Sequence, residues 1–197
     1  MRSDEQKNMI KSFVFAPFFL FFTSCYSFAQ NPAPNDILIT LERNPGYWGS
    51  VGAAPCPFYK LAIFKDGSVE LEPKDFVEYR IVVGKTIKNK ISKKQIEMLV
   101  SEFKKIDFYS VNSTFENQPN REDCPSYGTD DVTAITSITL DGKTHHVEHY
   151  HGCHGTEALS KLNDLENKID EVVNIKQWFD CRDGKNRIVL SGSNKKN

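Results

Sequence analysis

Two of the three Asp-Gly dipeptides organise this sequence, Asp66-Gly67 and Asp141-Gly142, and each of these two lies between stretches that read as strands. Asp-Gly between such stretches is a strong hairpin signal, because both residues accept the backbone angles of a tight turn. Residues 58–64 and 69–71 flank the first turn, and residues 132–140 and 143–151 flank the second. An amphipathic helix follows each hairpin. In the first, Ser92-Lys-Lys-Gln95 fits a capping box, Ile91 can staple onto Ile96, and Ile96, Leu99, Val100, Phe103 and Ile106 share one face. In the second, Thr156 is the N-cap and Leu159, Leu162, Leu165, Ile169 and Val172 form the apolar stripe. The helices end alike, in Lys105-Ile106-Asp107 and Lys168-Ile169-Asp170. Residues 37–41, 80–83 and 187–190 suit further strands, while 108–115 reads as irregular or a short strand and 117–129 as a long loop. The expected fold is α+β: an antiparallel sheet built from two hairpin-plus-helix halves, with the helices packed on one face.

The N-terminal segment defines the compartment. Residues 12–22 read SFVFAPFFLFF, an apolar run too short for a transmembrane helix, which takes about 20 residues. Lys7 and Lys11 precede it and Ser27-Phe28-Ala29 follows it, the layout of a secretory signal peptide cut after Ala29. Phe22-Thr23-Ser24-Cys25 offers a rival cut, resembling a bacterial lipoprotein box in which Cys25 would be lipidated. Lipidation there is the sole expected membrane contact. Either Met1 or Met9 can serve as the start. The expected organisation is a leader over 1–29, a Pro-rich linker over 30–36, a single α+β domain over 37–190 and a disordered tail over 191–197. The location is the periplasm or the extracellular space. Removing the leader takes away three basic and two acidic side chains and leaves a net charge of −2, from −1 for the whole chain. Such a balance gives no electrostatic case for nucleic acid.

Four cysteines remain inside the mature chain, Cys56, Cys124, Cys153 and Cys181, and an even count in an exported chain favours disulfides. Reach ranks the pairings. Cys153 precedes the last helix and Cys181 follows it; a helix of about 20 residues is about 30 Å long, which strains a bridge between them. Cys124 and Cys153 both lie on the open side of the second hairpin, so Cys124–Cys153 is the favoured pair. Cys56 and Cys181 pair by elimination or stay free. No Cys-x-x-Cys motif points to redox work.

All five histidines lie between His145 and His154. On a strand His145, Val147, His149 and His151 point one way. His149-x-His151 is a strand chelate that His145 or His154 can complete, suited to zinc or copper. Hairpin register decides whether that face is wet. A three-residue loop of Leu140, Asp141 and Gly142 pairs Thr139 with Lys143 and sets His145 and His149 beside Ser137 and Thr133, on a mostly polar face. A two-residue loop sets them beside Ile138 and Ala134, inside the core. The three-residue form is favoured, since the same loop in the first hairpin gives sensible packing of Ile63 on Val69 and Leu61 on Leu71.

Other chemistry is thinly marked. No Gly-x-Ser-x-Gly, phosphate loop or His-Glu-x-x-His occurs. His149 and Asp130 could join a spatial triad, but nothing identifies a nucleophile. Glu122, Asp123, Asp130 and Asp131 lack a calcium-loop pattern and read as loop solvation. Tyr47, Trp48 and Phe58 suit either a partner patch or cover for the core.

Ile37-Leu-Ile-Thr-Leu-Glu-Arg43, Cys56-Pro-Phe-Tyr59, Asp66-Gly67, Thr129-Asp130, Ile135-Thr-Ser-Ile138 and His149-Tyr-His-Gly-Cys153 together resemble a bacterial family of exported domains, the domain of unknown function 6438 family. The family's usual Pro-Cys-x-Gly-x-Cys-Pro-x-Tyr segment is matched at its end alone, by Cys56-Pro57-x-Tyr59. Pro45 is followed by Gly46 where the family has cysteine, so a disulfide within that motif is impossible here. The resemblance implies an exported or lipid-anchored domain and supplies no activity. The sequence therefore supports a non-enzymatic exported module without a cofactor, binding a protein or cell-envelope component. The alternative is a module that binds zinc or copper through His145, His149, His151 and His154.

Overall fold

The computed structural model describes residues 37–44, 58–77, 80–115, 122–129, 131–180 and 187–188. The expectations for the leader, Cys25, the linker, Tyr47, Trp48, Cys56, Asp130, Cys181 and the tail lie outside them.

Strand β1 (Ile37–Asn44) runs beside β2 (Tyr59–Phe64), which turns at Asp66-Gly67 into β3 (Ser68–Val77). Two short strands follow, β4 (Arg80–Val83) and β5 (Ile87–Lys90), and both pair with β3. Helix α1 (Lys93–Lys105) starts at the capping box of Ser92 and Gln95. After α1 come β6 (Thr114–Phe115) and β7 (Ser126–Tyr127), then the second hairpin of β8 (Thr133–Leu140) and β9 (Lys143–Tyr150). The short β10 (Cys153–His154) leads into α2 (Glu157–Val173), capped by the Thr156 hydroxyl accepting from Leu159 N–H. A two-stranded ladder of β11 (Phe179–Asp180) and β12 (Arg187–Ile188) comes last. Among the described residues no helix is long and apolar enough to cross a membrane.

The main sheet has the order β4-β3-β2-β1-β8-β9-β6. It is α+β, but not purely antiparallel: β6 lies parallel to β9, pairing Thr114 with Glu148 and Phe115 with His149. The sequence expectation failed there because the chain that follows α1 joins the edge of the sheet in the same direction as β9. A two-residue strand carries too little pattern to reveal this. The first half also gains β5, which the sequence reading did not assign.

The two hairpins turn differently. Gly67, at φ +85°, closes a three-residue loop, with Gly67 N–H donating to Phe64 C=O at 2.9 Å and Ile63 paired with Val69. At the second tip Asp141 and Gly142 both take positive φ, 51° and 75°. That is the two-residue turn whose twist matches its strands. Leu140 therefore pairs with Lys143, Ile138 with His145 and Ala134 with His149. The polar-face placement of His145 and His149 is thereby overturned, and the histidines face inward. Asp141 makes this possible, since aspartate enters the left-handed region at modest cost.

Register then sorts each strand's faces. Ile39, Leu41, Leu61, Ile63, Val69, Leu71, Ala134, Ile138 and Val147 are buried with Leu99 and Phe103 of α1 and Leu159, Leu162, Leu165 and Ile169 of α2 in one core. The opposite face carries ion pairs such as Lys74–Glu42 and Lys88–Glu70. The core face continues past its apolar centre into Arg43, Tyr59 and His149, and there the polar site begins.

Candidate metal centre

Charged residues break the apolar pattern on three elements, and they meet. Alternation along β1 places Arg43 on the same face as Ile39 and Leu41. Alternation along β9 places His149 with Val147. On α2, Glu166 follows Leu162 by four residues and precedes Ile169 by three, so it stands inside the apolar stripe. Glu166 is fully buried and His149 is 3% exposed. Buried charges must be paired and hydrogen-bonded to be tolerated.

Each oxygen of Glu166 takes one imidazole. Oε1 lies 3.1 Å from Nδ1 of His149, and Oε2 lies 2.7 Å from Nε2 of His151. The two rings sit 4.4 Å apart at 32°. The ring of Phe115 on β6 stands edge-on to His149. One donor atom from each of His149, His151 and Glu166 lies within 4.8 Å of the others. Burial pushes the Glu166 carboxyl upward, but the hydrogen bonds and charges of His149 and His151 outweigh it and hold the group below its ordinary range.

Behind Glu166 stands Arg43. Its Nη1 is 3.9 Å from Glu166 Oε2, while Nη2 and Nε lie 2.9 and 3.0 Å from Asp170 Oδ2. Nε also donates to Tyr59 Oη at 3.2 Å, and the Tyr59 hydroxyl donates to Asp170. Burial opposes the arginine's charge, yet attraction to Asp170, Tyr59 and Glu166 raises its pKa further. Burial pushes Asp170 and Tyr59 upward as well.

A cleft of about 430 Å³ opens on the imidazole side, lined by His149, His151, Cys153, Leu159, Ser160 and Asn163 among others. One wall is fixed by a disulfide between Cys124 and Cys153, the pairing favoured from sequence. It closes a loop with a sequence separation of 29, worth about 3–4 kcal/mol by loop entropy.

Of the four histidines proposed from sequence, two come together and two do not. His145 is held by Val111 C=O at 2.9 Å and packs edge-on against Phe108. His154 lines the cleft but bonds to Ser126 Oγ at 2.9 Å and Gly152 C=O at 3.1 Å. Glu166, Arg43 and Asp170 were not marked as site residues by the sequence. The available signal was a charged residue at a position the helical or strand period reserves for an apolar one.

No curated protein and no solved structure gives a significant match to this chain. The model of a family described as a domain of unknown function, DUF6438, matches residues 39–173, which takes in the sheet, both helices and every residue of the cluster. The chain belongs to the DUF6438 family.

Proposed function

We propose that the protein is an exported, non-enzymatic binding module whose working site is a divalent transition-metal centre made by His149, His151 and Glu166, with zinc as its ion. The observation that carries this reading is the triangle of donors. One donor atom from each residue lies within 4.8 Å of the other two, and the imidazole nitrogens of His149 and His151 stand 3.1 and 2.7 Å from the separate oxygens Oε1 and Oε2 of Glu166, near the separation of about 3.3 Å expected between ligands about 2.0–2.1 Å from a tetrahedral ion. Two imidazoles and a carboxylate are donors that zinc accepts, and copper suits the imidazoles. The leader-like segment at 1–29 supports delivery out of the cytoplasm. Arg43 would then be an outer partner, orienting Glu166 and balancing its charge. The rival reading, a patch for a protein or envelope partner, draws less support among the described residues, because Phe58 is buried in the core.

Calorimetry on tag-free, chelator-stripped protein is the test. Zinc should bind with a stoichiometry of one and micromolar or tighter affinity. The His149→Ala, His151→Ala double variant should lose uptake, and His145→Ala should keep it. No zinc or copper uptake by the folded protein would overturn the reading.

A further inference from the structure

Three protein donors leave a tetrahedral ion one position short, and metal sites that keep such a position take water or a ligand there. The cleft adjoins the imidazoles of His149 and His151, whereas Glu166 is sealed behind them. The open position therefore has to face the cleft. Charge decides what kind of ligand suits it. With both imidazoles neutral, as metal ligands must be, Glu166 and Asp170 count one negative charge each and Arg43 one positive charge, so the buried cluster sums to −1 formally, and a divalent ion brings it to +1. An uncompensated charge in such surroundings is costly, and a monoanion cancels it.

The cleft wall supplies the rest. Asn163 lies on α2 one turn before Glu166, and Ser160 lies a further three residues back, so both line the cleft from the helix that carries the metal-binding carboxylate. Both side chains can donate hydrogen bonds, and neither has a side-chain partner among the described residues. Leu159 adds an apolar surface beside them. The cleft adjoins the start of α2, where the helix dipole also favours negative charge. At about 430 Å³ it falls within the range of small-ligand sites.

We infer that the site binds a small carboxylate, one oxygen completing the coordination of the metal and the other held by Ser160 and Asn163, with any short apolar body resting on Leu159. This rests on the metal reading above and assigns the ligand class to that site.

Cobalt(II) in place of zinc makes the test visible, because exchange of its fourth ligand moves its absorption bands. Cobalt uptake by the tag-free full chain is measured first, without carboxylate. Acetate is then titrated against neutral acetamide and against inorganic phosphate. The expected result is a saturable band shift with acetate and none with acetamide. Ser160→Ala with Asn163→Ala should weaken the acetate response about tenfold, and Asn163→Asp, which adds a like charge, should abolish it; cobalt uptake should persist in both. If cobalt binds and acetate moves nothing, the carboxylate inference falls while the metal reading stands. Phosphate binding more tightly than acetate, or acetate binding equally to metal-free protein, overturns it too. If cobalt and zinc both fail to bind, the metal reading falls and this inference with it.

Discussion

Arg43 near the end of β1 and Asp170 near the end of α2 are joined through two guanidinium nitrogens at 2.9 and 3.0 Å, across the sheet–helix interface. Removing one partner of a buried pair leaves the other charge unmatched, which typically costs about 3–5 kcal/mol. Arg43→Met should therefore destabilise the protein by roughly 3 kcal/mol in urea unfolding. The double variant Arg43→Met, Asp170→Asn should recover a large part of that loss. A single-variant cost under about 1 kcal/mol, the range of surface ion pairs, would show that the pair is solvated.

Glu166 gives the site a pH signature. Its carboxyl is held below the ordinary value of 4.5, the bonds from His149 and His151 overcoming burial. A carboxyl depressed in the folded state contributes stability above its unfolded pKa and loses it as pH falls through the folded value. Metal-free protein should lose stability on acidification below about pH 4.5, and Glu166→Gln, though less stable at neutrality, should show a flatter acid limb. Unfolding midpoints across that range in the presence of chelator provide the measurement. Parallel limbs would remove Glu166 from the account.

Thr136 is fully buried between Leu41 of β1 and Val147 of β9, and its hydroxyl has no hydrogen-bond partner among the described residues. An unmatched buried hydroxyl costs about 1–3 kcal/mol. Thr136→Val keeps the shape and removes the polar atom, so a gain of about 1 kcal/mol is expected in thermal or urea unfolding. A loss of stability would mean that the hydroxyl is satisfied in solution.

The two turn glycines should respond unequally to alanine. At Gly142 a Cβ would meet nothing within 4 Å, so the cost is the positive φ alone, about 1 kcal/mol. At Gly67 a Cβ would sit 2.4 Å from the backbone oxygen of Ile91, which also receives no relief from a flexible side chain. Gly67→Ala should therefore be the more destabilising by at least about 2 kcal/mol, since the backbone leading into α1 must shift. Equal melting temperatures for the two variants would contradict the close approach.

Much of the scaffold could be read from the chain because its signals are local. The capping box at Ser92, the N-cap at Thr156, both Asp-Gly turns and the Cys124–Cys153 pairing each depend on a few residues or on reach. The face of β9 could not be read, because it hinges on one residue of loop length. Asp66 and Asp141 precede glycine alike, yet only Asp141 takes a positive φ. The histidines were visible as a cluster, but their partner was not. Glu166 lies outside the cluster in sequence and was hidden within a stripe read for its leucines. Arg43 was hidden likewise, since the strand expected over 37–41 ends before it, whereas β1 runs on to Asn44.

The shared carboxylate of Glu166 also has a mechanical meaning. Its two imidazoles belong to the strand β9 and the residue just beyond it, while the carboxylate itself belongs to α2, so anything bound there is a rivet through two layers. A rivet of this kind is absent from the unfolded chain, and each tenfold excess of ion over its dissociation constant should tighten the whole fold by about 1.4 kcal/mol. Metal supply in the surroundings would thus set how firmly the helix stays on the sheet.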